Sequence, residues 1–128
     1  MIVDDEPSIR LTVRAVLEPS GFEVTPVESG EKCIAELEKG FAGVVLMDVM
    51  MPGMDGWATI REIERKGLGK DILISVLTAK QDPDADLAEF AESVSSYVRK
   101  PFEPAELVSI VTEYCQLLED ANASNSSN

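Results

Sequence analysis

The chain has 128 residues, 45% of them hydrophobic and 27% charged, which suits one ordinary domain with a buried core and excludes a fibrous or wholly disordered protein. Twenty-four acids against eleven bases give a formal net charge of −13, and such a surface repels phosphate backbones and argues against nucleic-acid binding. There is no histidine, so a zinc site is disfavoured, and chemistry must run on carboxylates, hydroxyls, lysine or a bound metal.

No apolar run approaches the ~20 residues that span a bilayer. The opening residues 1–6 carry neither a basic segment nor a long apolar one, so no secretory signal is read there. A cytoplasmic protein without membrane contact is expected. Cys33 and Cys115 fall in apolar-periodic segments and read as small buried hydrophobes.

Residues 1–3 form a short predicted strand that ends in Asp4-Asp5-Glu6. Pro7 suits a first helical turn, and Ile9, Val13, Val16 and Leu17 repeat at helical spacing up to Pro19-Ser20-Gly21. A second strand is predicted over 22–27, with Pro26 fitting a sheet edge. A helix follows over 29–39, turning Cys33, Ile34 and Leu37 inward and stopping at Gly40. Val44-Val45-Leu46-Met47 is a continuous apolar run ending at Asp48, the pattern of a strand covered on both faces.

Beyond a loop at 51–56, Trp57, Ile60 and Ile63 mark a third helix. Residues 72–77 form a fourth buried strand ending at Thr78, and 85–94 read as helix. Tyr97-Val98-Arg99 is a short fifth strand, and a last helix opens at Glu103/Pro104 and carries Leu107, Ile110, Val111, Tyr114 and Leu118. The domain is expected to span 1–120, with 121–128 a polar disordered tail or linker stub. Five strands alternating with five helices imply an α/β, doubly wound, five-stranded parallel sheet.

In such sheets the working crevice lies at the carboxyl ends of the strands. Asp4, Asp5, Asp48, Thr78 and Lys100 all stand at predicted strand ends. Three carboxylates at one rim repel one another unless a cation intervenes, and a hard divalent ion such as Mg²⁺ answers that need. Lys100 and the Thr78 hydroxyl could steady the oxygens of a transferring phosphoryl group, which leaves Asp48 as a nucleophile. Each residue has a plainer explanation. In that plainer reading Asp4-Asp5 serve only the helix dipole, Asp48 a turn, and Lys100 solvent. The weight rests on their conjunction at four strand ends.

The stretches Ile2-Val3-Asp4-Asp5-Glu6, residues 45–56 (VLMDVMMPGMDG), Leu77-Thr78-Ala79 and Tyr97-Val98-Arg99-Lys100-Pro101-Phe102 carry a resemblance. Up to about Leu118 the chain resembles the receiver domains of two-component response regulators, of the single-domain chemotaxis-regulator kind. The resemblance implies a flavodoxin-like strand order 2-1-3-4-5 and a phosphoacceptor role for Asp48. It implies that Asp5 and Asp48 hold Mg²⁺ directly with the backbone carbonyl of Met50, while Asp4 acts largely through water. Thr78 and Lys100 would contact the phosphoryl group, and Thr78 with Tyr97 would form the switch. The donor would be a histidine kinase or phosphotransfer protein. The helix at 85–94, the fifth strand and the last helix would meet a downstream partner, with homodimerisation on phosphorylation as an option. Such a chain catalyses its own phosphorylation and dephosphorylation but acts mainly as a switch.

Several positions depart from the family pattern. The first strand is short, Pro19 suggests an early helix end, and Ser93 stands where the family often has glycine. Met50 and Lys80 flank the expected path of attacking water, and the apolar Met50 points to slow self-dephosphorylation. The alternative reading is a pseudo-receiver that binds partners without phosphorylation. A phosphatase with a nucleophilic Asp typically has a second Asp two residues on, where this chain has Met50. A flavin-binding protein would need a phosphate-cradling loop where Asp4-Asp5-Glu6 stands.

Overall fold

The computed structural model describes residues 1–49, 55–78 and 92–126. Five strands form one parallel sheet in the order β2-β1-β3-β4-β5. They are β1 (Ile2–Val3), β2 (Pro26–Val27), β3 (Gly43–Asp48), β4 (Ile72–Thr78) and β5 (Val94–Arg99). The helices among the described residues are α1 (Pro7–Leu17), α2 (Gly30–Glu38), α3 (Gly56–Lys66) and α4 (Pro104–Ser126). Most of the predicted helix at 85–94 lies outside the described residues, but its last position, Val94, begins β5.

Strand alternation builds two cores, one on each face of the sheet. Val3, Val45, Met47, Ile74 and Val76 face Cys33, Ile34 and Leu37 of α2 and Ile60 and Ile63 of α3. Ile2, Val44, Leu46, Leu77 and Val98 face Val13 and Leu17 of α1 and Leu107, Val111 and Tyr114 of α4. With a helix layer on each side, β3 and β4 are buried along nearly their whole length, as their unbroken apolar runs require.

The helix ends follow local chemistry. Ser29 caps α2 by accepting the Lys32 amide, and Asp55 caps α3 by accepting the Ala58 amide. Past Leu17 the chain tightens into a 3-10 turn over Glu18–Ser20, the early end that Pro19 foreshadowed, and Gly21 at φ 95° reverses it. Three expectations need correction. The second strand is confined to Pro26–Val27, because its only neighbour, β1, offers just Ile2 and Val3 to pair with. The fifth strand starts at Val94, three residues earlier than predicted, since the Ser75 and Ser96 hydroxyls satisfy each other at 3.1 Å between β4 and β5. Finally, α4 continues through Ser126 into the segment expected to be a disordered tail, where no Pro or Gly interrupts it.

The bend before β5 is made without glycine. Ser93 stands in a turn and donates its hydroxyl to Glu64 on α3 at 2.6 Å. No described residue other than glycine has a positive φ.

Candidate functional site: an acidic rim at the strand ends

Parallel register carries the predicted residues to one end of the sheet. Val3 pairs with Met47, Asp48 with Leu77, and Thr78 with Arg99, so residues 4, 48, 78 and 100 fall side by side. Asp48 and Thr78 are the last residues of their strands, whereas Asp4 and Lys100 each stand one residue beyond theirs. Carboxylate oxygens of Asp4, Asp5 and Asp48 all lie within 4.8 Å of one another. Asp4 and Asp48 are buried, and Asp5 is the most exposed of the three.

Lys100 reaches into this group. Its Nζ lies 2.9 Å from Asp4 Oδ2 and 3.5 Å from Asp48 Oδ2, and its amide donates to the Thr78 carbonyl at 2.8 Å. The Lys100–Pro101 peptide bond is cis. Burial opposes the charge on Lys100, but the Asp4 hydrogen bond and the charges of Asp48, Asp4 and Glu6 outweigh it, and the lysine pKa is raised.

Asp4 is anchored on every side. Its Oδ1 accepts the Glu6 amide at 3.0 Å, its Oδ2 accepts Lys100, its amide donates to Val27, and its carbonyl accepts Arg10 Nη1 at 2.7 Å. Sequence reasoning missed Arg10 and assigned no role to Gly56, although Gly56 closes the 45–56 stretch that carries the resemblance. Arg10 shows only as a polar position on an amphipathic helix, with no pattern that singles it out. Gly56 packs its Cα against the end of β3, and a further hint was a glycine opening a helix rather than closing one.

Thr78 is buried at the floor of the rim. Tyr97 pairs with Val76 in the β4–β5 ladder, and its side chain is 41% exposed, turned out toward solvent. Met50 and Lys80 lie outside the described residues. Three carboxylates against one ammonium leave two negative charges at the rim. A donor set of hard oxygens with that residual charge fits a divalent cation such as Mg²⁺. Among the described residues no other group of three or more acids, cysteines or histidines converges in this way.

A family profile for the response regulator receiver domain matches residues 1–112. The chain belongs to the response regulator receiver family. A CheY-like receiver domain protein from Methanospirillum hungatei JF-1 shares 44% identity and superposes with a TM-score of 0.87, covering 94% of this chain and 95% of that one. TrrA from Thermotoga maritima, solved in complex with Mg(2+)-BeF, shares 34% identity at a TM-score of 0.76, over 88% of this chain and 95% of its own. The phosphate regulon transcriptional regulatory protein PhoB of Escherichia coli K12 is 32% identical over 108 residues, 84% of this chain and 47% of PhoB. This receiver chain thus spans about half the length of that curated relative. Among the described residues, no helix is long and apolar enough to cross a membrane.

Proposed function

We propose that this receiver domain accepts a phosphoryl group on Asp48 from a phosphohistidine of a histidine kinase or phosphotransfer protein. The observation that carries the reading is the convergence of Asp4, Asp5 and Asp48 within 4.8 Å, with the Lys100 ammonium inserted among them. A carboxylate oxygen of Asp48 attacks phosphorus as the phosphorus–nitrogen bond of the donor breaks, and the imidazole leaves. Asp5 and Asp48 would hold Mg²⁺ with the backbone carbonyl of Met50, and Asp4 would act largely through water. When bound, the ion supplies positive charge against the phosphoryl oxygens.

Lys100 is placed to follow the developing charge. It already bridges Asp4 and Asp48, so a phosphoryl group on Asp48 offers it a third anionic partner within reach. Thr78 is the buried last residue of β4, whose end lies on the same rim. A Thr78 hydroxyl drawn to the phosphoryl group and an inward turn of the exposed Tyr97 would carry the change along β5. The partner surface is β5 with α4 and the helix predicted at 85–94, and homodimerisation on phosphorylation would use the same face. With a net charge of −13, this chain itself is not suited to contact nucleic acid. A cytoplasmic site of action agrees with an intracellular kinase partner.

The test is intact mass after incubation with acetyl phosphate and Mg²⁺, with and without EDTA, on wild type and Asp48→Asn. The expected result is a gain of one phosphoryl group that needs Mg²⁺ and is absent from Asp48→Asn. An equal gain in Asp48→Asn, or no gain in a folded, Mg²⁺-binding wild type, would overturn the reading.

A further inference from the structure

Asp55 and Gly56, at the start of α3, lie directly against the backbone of Asp48 and Val49. A Cβ at position 56 would lie 2.4 Å from the Asp48 carbonyl oxygen, 2.6 Å from the Val49 Cα and 2.9 Å from the Val49 Cγ1. Two of these three atoms are backbone, so no side-chain rotation relieves the overlap. Gly56 is not among the glycines with positive φ, so the position needs empty space and not unusual backbone freedom.

The helix side of this contact is held firmly. Asp55 Oδ1 accepts the Ala58 amide at 2.8 Å, and the hydroxyl of fully buried Thr59 donates to the Asp55 carbonyl at 2.8 Å. Ile60 and Ile63 of the same helix are core residues. On the strand side, Asp48 and Val49 lie past the last pair with β1, Val3–Met47, and are joined to β4 through the Asp48–Leu77 pair and a 3.3 Å bond from the Val49 amide to the Leu77 carbonyl. Crowding at position 56 falls on that backbone and would displace Asp48 and Val49.

We propose that Gly56, seated by the Thr59 hydroxyl, is a positioning residue for the acidic rim. The missing side chain sets where the backbone leaves β3, and so where the Asp48 carboxylate stands relative to Asp4, Asp5 and a bound Mg²⁺. The proposal rests on the reading of Asp48 as acceptor and metal ligand.

The experiment compares wild type, Gly56→Ala, Thr59→Val, Thr59→Ser and Ile60→Val. The readouts are Mg²⁺ titration by calorimetry, amide shifts of the metal-free proteins by NMR, and the rate of phosphoryl acceptance from acetyl phosphate. Ile60→Val loosens the core under α3 without crowding Asp48, and so serves as the stability control. Gly56→Ala should weaken Mg²⁺ binding and slow acceptance by about 10-fold each, with shifts centred on Asp48, Val49 and Leu77. Thr59→Val should show a smaller loss that Thr59→Ser restores, while Ile60→Val stays within about twofold of wild type.

A folded Gly56→Ala that binds Mg²⁺ like wild type overturns the proposal, as does an Ile60→Val that loses as much affinity. Should Gly56→Ala fail to fold, the Thr59 pair decides, and wild-type Mg²⁺ affinity in Thr59→Val overturns it. The amide shifts need neither metal nor donor. Unchanged Asp48 and Val49 signals in a folded Gly56→Ala overturn the positioning role even where wild type accepts phosphate. A wild type that takes no phosphate overturns only the acceptor reading.

Discussion

The two ends of the one parallel sheet are built on opposite terms. At the carboxyl ends, buried Asp4, Asp48 and Thr78 sit with Lys100 in a network that ties side chains to backbone. At the amino ends, a cavity of about 470 Å³ opens between the sheet, α1 and α4, lined by apolar groups such as Leu17, Phe22, Val24, Phe41 and Val44 together with Glu23 and Thr25. Buried polar groups are costly unless bonded, so the rim must hold its geometry. Along the apolar part of the cavity wall only contacts are forfeited, so that part of the base can be repacked with small energetic consequence. One sheet thus keeps its rigidity where charge is handled and its slack where it is not.

The largest test of this contrast is at Asp4. Asp4→Ala removes the acceptor for Lys100 Nζ and for the Glu6 amide, and should destabilise the metal-free protein by about 2 kcal/mol. Asp48→Asn relieves repulsion in the acidic group and should cost much less. Urea denaturation of the two variants checks this, and equal losses would mean that Asp4 is not the anchor of the rim.

Alkaline titration separates the rim from the core under α2. Burial pushes the Cys33 thiol from its ordinary value of 9.0 up to about 12. Between those values the unfolded chain gives up a proton that the folded chain keeps, so stability falls as pH rises. The loss between about pH 9 and pH 10 should be about 1 kcal/mol. The Lys100 pKa is raised, so its contribution is intact below 10.5 and is lost only as pH climbs through the folded value. Stability measured against pH for wild type and Cys33→Ala should show a flatter slope in the variant over this first step. An unchanged slope would remove Cys33 as its source.

The smallest effect is expected at the base. Val24→Ile places one more methyl group in the cavity and should raise stability by about 0.5 kcal/mol, with no change in Mg²⁺ affinity. A change in Mg²⁺ affinity would show that the two ends are coupled, against the contrast drawn above.

Much of this was legible in the chain itself. The apolar runs ending at Asp48 and Thr78 announce strands covered on both faces, and both residues end their strands in the structure. Pro26 marks the sheet edge, where β2 indeed lies. Ser95 and Ser96 hid the start of β5, because a polar pair carries no hydrophobic period. The Ser75–Ser96 hydroxyl contact that makes this polar stretch acceptable crosses two strands. Gly56 stood in the motif that carries the resemblance, but only the packing of α3 against β3 shows the space it must leave empty.

The order of elements, the two-sided burial of β3 and β4, and the gathering of acids at strand ends were all determined by local sequence, because period and punctuation are short-range properties. Which acid binds the lysine was decided by tertiary structure alone. Asp4 and Lys100 stand 96 residues apart in the chain and meet at 2.9 Å only because β1 and β5 end on the same rim of one parallel sheet. A charge pair of that separation has no signature in either neighbourhood, since its geometry is a property of the assembled sheet.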